Sequence, residues 1–233
     1  MNVLAFDTCL GACSVVLAWT DRDGERHVVR RHETMATGHA ERLMPMIGEV
    51  MAEAGRPLDG LDAIAVTEGP GTFTGIRIGV AAARGLALAA RLPIRATSSL
   101  HVMAAQAITL LGTATADRQI AVATDARNGQ IYVQFFDGCS GDPMTSAALT
   151  TPAQAAGECS GKSLVCVGSA AGLLAAGVEK AGIAVEIRLP ELQPDARILA
   201  ELAPKLPERK PLVPLYLRLP DAKPQIGKSI PRA

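Results

Sequence analysis

The chain has 233 residues, enough for one large or two small domains with a sizeable core. Apolar residues make up 48% and aromatics only 3%, so Ala, Val, Leu and Gly must fill the interior. Basic and acidic residues balance at 23 each, which excludes the basic surplus of a dedicated nucleic-acid binder but not membership of an assembly that acts on one.

Val3 to Thr8 reads as a buried strand, Ala12 to Trp19 as a second, and Asp21-Arg-Asp-Gly-Glu25 as the hairpin turn into a third at Arg26 to Glu33. Met1 to Phe6 is thus the start of a strand and not a signal peptide. No uninterrupted apolar run approaches the ~20 residues that span a bilayer. The five cysteines contain no C-x-x-C and are odd in number, which points to reduced thiols in a cytoplasmic protein. A helix is expected from about His39 to Ala54, because Leu43, Met44, Ile47, Val50, Met51 and Ala54 recur at helical spacing. Pro45 should disturb its first two turns, and His39 is read as its solvent-facing start. A strand at 62–67, a glycine turn, a long helix at 72–90, a strand at Pro93 to Thr97 and a helix at Ser98 to Leu111 complete the first half. The order β-β-β-α-β-α-β-α gives a mixed sheet with helices, in the manner of a ribonuclease H-like unit.

The second half begins in the same way. Asp7 ends a strand and feeds Ala12-Cys-Ser-Val-Val-Leu17; Asp125 ends Ile120-Ala-Val-Ala-Thr124 and feeds Gln130-Ile-Tyr-Val-Gln-Phe135. Each Asp lies eight positions before an apolar strand residue, Val15 or Val133, as a duplicated fold would leave. A helix near 152–156, a strand at 164–167 and a helix near 171–181 would continue the repeat. The expected units are residues 1–100 and 101–220, with a hinge at Ala114 to Arg118. Pro211 to Leu217 is expected to be ordered, and 221–233 to be a mobile tail.

The segment Glu68-Gly-Pro-Gly-Thr-Phe-Thr-Gly-Ile-Arg77 carries the most chemistry. Strand, glycine turn and helix aim free backbone N–H groups at one point, which favours an anion or phosphate. Gly69 and Gly71 bracket Pro70 and allow close approach; Thr72 is the expected N-cap. The competing reading is a well-capped strand-to-helix turn and nothing more. Ile76 and Arg77 stand where a Walker A loop requires its Lys-Ser/Thr step. Asp7 with Thr8, and Asp125 if the two halves face each other, could hold a metal or phosphate, or simply cap their own turns. His27, His32, His39 and His101 form no H-x-x-x-H pair, so no metal site is assigned; without a Gly-x-Ser-x-Gly elbow, no nucleophilic site is assigned either. Gly75, Gly79, Ala83 and Ala87 form a smooth ridge at four-residue spacing. Either it packs inside the chain, or it belongs with the methionine-bearing helix at 39–54 to a face for another subunit.

Taken together, Asp7-Thr8, His39-Ala-Glu-Arg-Leu43, Glu68 to Gly79, Thr97-Ser-Ser-Leu100, Asp125-Ala-Arg127 with Tyr132, and Pro214-Leu-Tyr-Leu-Arg218 resemble the TsaB (YeaZ) family over roughly residues 2–220. The resemblance implies an α/β fold of two duplicated ribonuclease H-like subdomains of the actin/Hsp70 type. It also implies a non-catalytic cytoplasmic scaffold that forms a heterodimer with TsaD. TsaD transfers threonylcarbamoyl to N6 of adenosine 37 of tRNA. TsaE is the further partner, self-association is expected when TsaD is absent, and tRNA enters only as the substrate of the complex. No cofactor is assigned to this chain; ATP and Mg enter at the level of the complex. Leu43, Met44, Ile47, Met51, Gly75, Ile76, Gly79 and Ala83 are expected to meet the partner. Asp7, Thr8, Gly69, Gly71, Thr72 and Asp125 are the candidate nucleotide or anion site. The paralogue's histidine ligands, four apart, fall on Ser99 and Met103, which cannot hold a metal, and this removes support for a peptidase. Cys9 and Gln130 depart from the family's usual residues. The alternative is an actin-like ATPase or phosphotransferase acting through the Asp7–Asp125 cleft.

Overall fold

The computed structural model describes residues 1–159 and 163–218; the expected tail at 221–233 lies outside them. The first half contains β1 (Val3–Asp7), β2 (Ala12–Thr20), β3 (Arg26–Thr34), α1 (His39–Ala54), β4 (Ala63–Thr67), α2 (Phe73–Ala90), β5 (Ile94–Thr97) and α3 (Ser99–Leu111). The second contains β6 (Gln119–Asp125), β7 (Ile131–Asp137), β8 (Ala148–Thr150), α4 (Pro152–Ala156), β9 (Ser163–Val167), α5 (Ala171–Lys180), β10 (Ala184–Ile187) and α6 (Ala196–Leu202).

The duplication is complete at the level of topology. One five-stranded sheet runs β3-β2-β1-β4-β5 and the other β10-β9-β6-β7-β8, the same order read from opposite edges. In each, the first strand pairs antiparallel with the second and parallel with the fourth. This is the duplicated ribonuclease H-like arrangement of the actin type. The period-two alternation of strand side chains sorts the cores. Leu4, Phe6, Val15, Leu17, Ile64 and Val66 face α1 and α2, whereas Val3, Ala5, Val16, Ala18 and Ala65 face α6. In the second sheet Ala121, Ala123, Val133 and Phe135 face α5, and Ile120, Val122, Tyr132 and Phe136 face α3. Two sheets therefore sandwich α3 and α6, with α1 and α2 on one outer face and α4 and α5 on the other.

Several local expectations are corrected. α1 runs unbroken through Pro45. His39 is 6% exposed, and its Nε2 meets the Leu10 carbonyl at 3.1 Å, because the β1–β2 turn folds over it. The stretch 114–118, expected as a hinge, is tied to the second half. Thr115 Oγ1 is buried against the carbonyls of Gly112 and Gly138, and the Arg118 guanidinium reaches Ser163, Leu164 and Glu186. Residues of the expected second unit also contact the first half. Ala196 N–H donates to Ser14 Oγ (2.9 Å), Arg30 pairs with Asp195, and Leu212, 3% exposed, enters the core beneath α2. β8, β10 and α6 were not anticipated, because each is short and carries weak periodicity.

Candidate functional site

The glycine turn is built for close packing of backbone on backbone. A Cβ on Gly71 would lie 2.1 Å from Cys9 O, one on Gly75 2.1 Å from Thr8 O, and one on Gly79 2.8 Å from Thr8 Oγ1. Thr8 Oγ1 donates to Gly75 O (2.7 Å) and Thr72 N–H donates to Cys9 O (2.7 Å). Thr72 caps α2 as expected, accepting from Gly75 N–H. The glycine ridge is thus the seat of the β1–β2 turn.

Asp7 and Asp125 are equivalent by topology, each the last residue of its half's first strand. Each closes the same local turn: Asp7 Oδ1 accepts from Cys9 N–H (3.2 Å), and Asp125 Oδ1 from Arg127 N–H (2.7 Å). Their surroundings differ. Asp7 is fully buried and bonded to the Thr67 hydroxyl. Burial pushes its carboxyl up to about 6, against the lowering effect of the Thr67 and Cys9 hydrogen bonds. Burial likewise holds the Cys9 thiol far above its ordinary value, so it stays protonated. Asp125 is exposed.

A cleft of about 540 Å³ opens between the halves, lined by Leu10, Gly71, Thr72, Phe73, Thr74, Asp125, Ala126, Arg127, Tyr132 and the segment Leu215–Arg218. Of the six residues expected to bind an anion, Gly71, Thr72 and Asp125 line it. Asp7, Thr8 and Gly69 do not, so the two carboxylates do not meet in the cleft. Gly69 is instead held by the C-terminal segment, with Leu215 O 2.9 Å from the place of a Cβ. The sequence reading missed the far wall, where Tyr216 OH accepts from Arg77 Nε (2.6 Å) and its ring packs on Phe73 with centroids 5.3 Å apart. The signal was present in Pro214-Leu-Tyr-Leu-Arg218, but a contact between residues 139 positions apart leaves no local pattern.

The two positions matched to the paralogue's metal ligands are interior. Ser99 Oγ donates to Pro70 O (2.5 Å), and Met103 is fully buried. His101 Nδ1 lies 2.8 Å from Thr97 Oγ1. Among the described residues, Asp21, Glu25 and His27 bring potential ligand atoms within 4.8 Å of one another. They close their own hairpin: Asp21 Oδ1 accepts from the N–H groups of Asp23 and Glu25, and Asp21 Oδ2 lies 2.8 Å from His27 Nε2.

Most of the eight residues expected to meet the partner are interior in the chain alone. Leu43, Ile47, Ile76 and Ala83 are at most 5% exposed, and Gly75 and Gly79 are buried with them. Only Met44 and Met51 of the eight reach solvent. The opposite faces are the open ones: Ala40, Met44, Gly48 and Ala52 on α1, and Ala81, Gly85, Leu88 and Ala89 on α2. Gly48 and Gly85 have nothing within 4 Å of the place a Cβ would occupy, and Leu88 is 83% exposed. α2 is long and apolar enough by length and composition to cross a membrane, but its inner side, including Ile76, Val80, Ala83 and Ala87, packs into the first core.

The family model for TsaD, tRNA N6-adenosine threonylcarbamoyltransferase, matches residues 32–164. The tRNA threonylcarbamoyladenosine biosynthesis protein TsaB of Escherichia coli K12 is 39% identical over 132 residues, 57% of this chain and 53% of that protein. The matched region thus spans about half the length of that relative. An uncharacterized protein of Mycobacterium tuberculosis H37Rv is 32% identical over 238 residues, covering 96% of this chain and 94% of the relative. The solved structure of YeaZ from Pseudomonas aeruginosa superposes with a TM-score of 0.74 at 30% identity, over 93% of this chain and 99% of the other.

Proposed function

The chain belongs to the TsaB/YeaZ family, and from that premise we propose that it is a non-catalytic accessory subunit docking onto TsaD through the outer faces of α1 and α2. In this reading it works in the cytoplasm and supports transfer of threonylcarbamoyl to N6 of adenosine 37 of tRNA. TsaE is a further partner, tRNA enters as the substrate of the complex, and the chain forms a homodimer when alone.

The observation that carries the reading is the pair of exposed mid-helix glycines. Gly in a helix interior costs roughly 0.5–1 kcal/mol relative to Ala. Among the described residues, Gly48 and Gly85 have no neighbour that would require them. What they permit is close approach of another helix along a four-residue ridge. The two helices lie side by side on one face of the first sheet, and Ala40, Met44, Gly48 and Ala52 with Ala81, Gly85 and Leu88 are exposed small or apolar residues on their outer sides. Covering them offsets the entropy of association. The match to the TsaD family model includes both helices, so the partner would present an equivalent pair.

The absence of a catalytic role is supported by Ser99 and Met103, both packed inside, and by Asp7, which no solvent reaches. The alternative of a free-standing ATPase rests on Asp7 and Asp125 facing each other, and among the described residues Asp125 lines the cleft while Asp7 does not.

The test is light scattering coupled to size-exclusion chromatography of the chain with TsaD. The wild type is expected to give a 1:1 complex. Ala81→Arg, at an exposed site, should abolish the complex while leaving the melting curve unchanged. An Ala81→Arg chain that still binds TsaD would remove this surface from the proposal. A wild-type chain that fails to bind at micromolar concentrations would remove the scaffold function itself.

A further inference from the structure

The segment after α6 touches both halves in turn. It is anchored first on the half that contains β1 to β5. Arg209 N–H donates to Ile94 O (2.8 Å), and its guanidinium forks onto Glu68, whose side chain is 7% exposed. Arg84 Nε donates to Leu212 O (3.0 Å), Leu212 is buried under α2, and Leu215 N–H donates to Glu68 O (2.6 Å). The next residues leave this anchorage for the cleft. Tyr216 closes on Arg77 and Phe73 at the start of α2. Leu217 packs against the cluster shared by α3 and the second sheet. Arg218 Nη2 donates to Gln130 Oε1 (2.8 Å) and to Arg127 O (3.3 Å), both on the turn between β6 and β7.

We propose that residues Tyr216–Arg218 form a latch that holds the two halves at a fixed angle and thereby sets how far the 540 Å³ cleft opens. The anchor side is over-determined: a bidentate ion pair to a nearly buried carboxylate, two backbone hydrogen bonds and a core leucine keep the segment on the first half. Among the described residues, the distal side rests on the partly buried Arg218 guanidinium and on Leu217. A link that is strong at one end and light at the other releases at the light end. Release at Arg218 leaves the segment attached to α2 and frees the β6–β7 turn to move with the second half, a hinge-type change. Arg127 and Asn128 hold positive φ of 64° and 54° in that turn. The carbonyl of Arg127 is therefore presented to Arg218 by a specific backbone shape that the sheet end maintains.

The experiment measures the separation of the halves in the full chain. Spin labels are placed at Asp59→Cys and Glu179→Cys, both exposed and away from the cleft, with Cys139→Ser and Cys159→Ser removing the accessible thiols. Arg218→Ala is expected to broaden the distance distribution and shift it to longer values, with circular dichroism unchanged. Arg218→Lys, which keeps a donor for Gln130 Oε1, should restore much of the narrow distribution. Gln130→Ala cuts the same bond from the turn side and should broaden it as Arg218→Ala does, which keeps the test sharp if one variant folds poorly. A distribution in both alanine variants that matches wild type would overturn the latch and leave the segment as packing for the first half alone.

Discussion

Asp7 shows what a single residue's position does to its chemistry. A strand-end carboxylate in this class of fold suggests ion binding, yet here it is sealed beneath the β1–β2 turn and spends its oxygens on Thr67 and Cys9. Its carboxyl pKa is raised from 3.8 to about 6, so between those values the native carboxyl stays protonated. The native chain therefore binds a proton that the unfolded chain has released. The associated stability is fully present below pH 3.8 and is lost as pH rises through about 6. The loss is on the order of 3 kcal/mol. Asp7→Asn should flatten this segment of the pH profile, read as the urea midpoint at pH 4.5 against pH 7.5. An unchanged slope in the variant would assign the dependence to other groups. Cys9 in the same cluster is held as a thiol by burial, so alkylating reagents should leave it unmodified in the native chain.

At the scale of the element, α2 carries two smooth ridges and the sequence cannot say which is inside. Gly75, Gly79, Ala83 and Ala87 share one face; Ala81, Gly85 and Ala89 share the other at the same spacing. The β1–β2 turn chooses between them, since the first ridge admits Thr8 at contact distance through Gly75 and Gly79, whereas Gly85 on the other meets nothing within 4 Å. The two glycine classes should respond oppositely to the same change. Gly75→Ala places a methyl 2.1 Å from a backbone carbonyl and should prevent a cooperative fold. Gly85→Ala meets open space and should stabilise the isolated chain by about 0.5–1 kcal/mol, while weakening the TsaD complex. Thermal unfolding of the two variants alone, followed by titration of Gly85→Ala with TsaD, checks both halves of this statement. A Gly85→Ala chain that binds TsaD as tightly as wild type would mean no helix approaches closely there.

For the whole molecule, the C-terminal segment decides stability as much as any strand. Leu212 lies near the end of the described chain but at 3% exposure inside the first core. Leu212→Ala should cost about 2–5 kcal/mol, a core-sized loss, measured by equilibrium denaturation. A cost under about 0.5 kcal/mol, usual for surface positions, would show that the segment is a passive appendage. Because α3 contributes Val102 to the first half's core and Leu100, Met103 and Ala107 to the second's, loosening the first half should be felt in the second. One coincident transition by fluorescence of Trp19 and by far-ultraviolet circular dichroism is the expected result.

Element type and order were legible in the residues to a high degree. α1 at His39–Ala54 and α4 at Pro152–Ala156 fell at their expected ends, and the duplicated Asp7 and Asp125 strands proved topologically equivalent. These properties are written locally, in alternation, helical spacing and cap residues such as Thr72. The cleft, the inward face of α2 and the return of residues 195–218 to the first half were not legible. Each depends on pairs far apart in the chain, such as Arg209 with Glu68 or Tyr216 with Arg77, and no local period encodes which distant surface a segment will meet. The sequence by itself therefore determined two similar α/β units and a glycine-seated turn. Only the tertiary structure decided that the glycines serve packing, that Asp7 is sealed from the cleft, and that the open apolar surface lies on the outer faces of α1 and α2, because burial is a property of the assembled core.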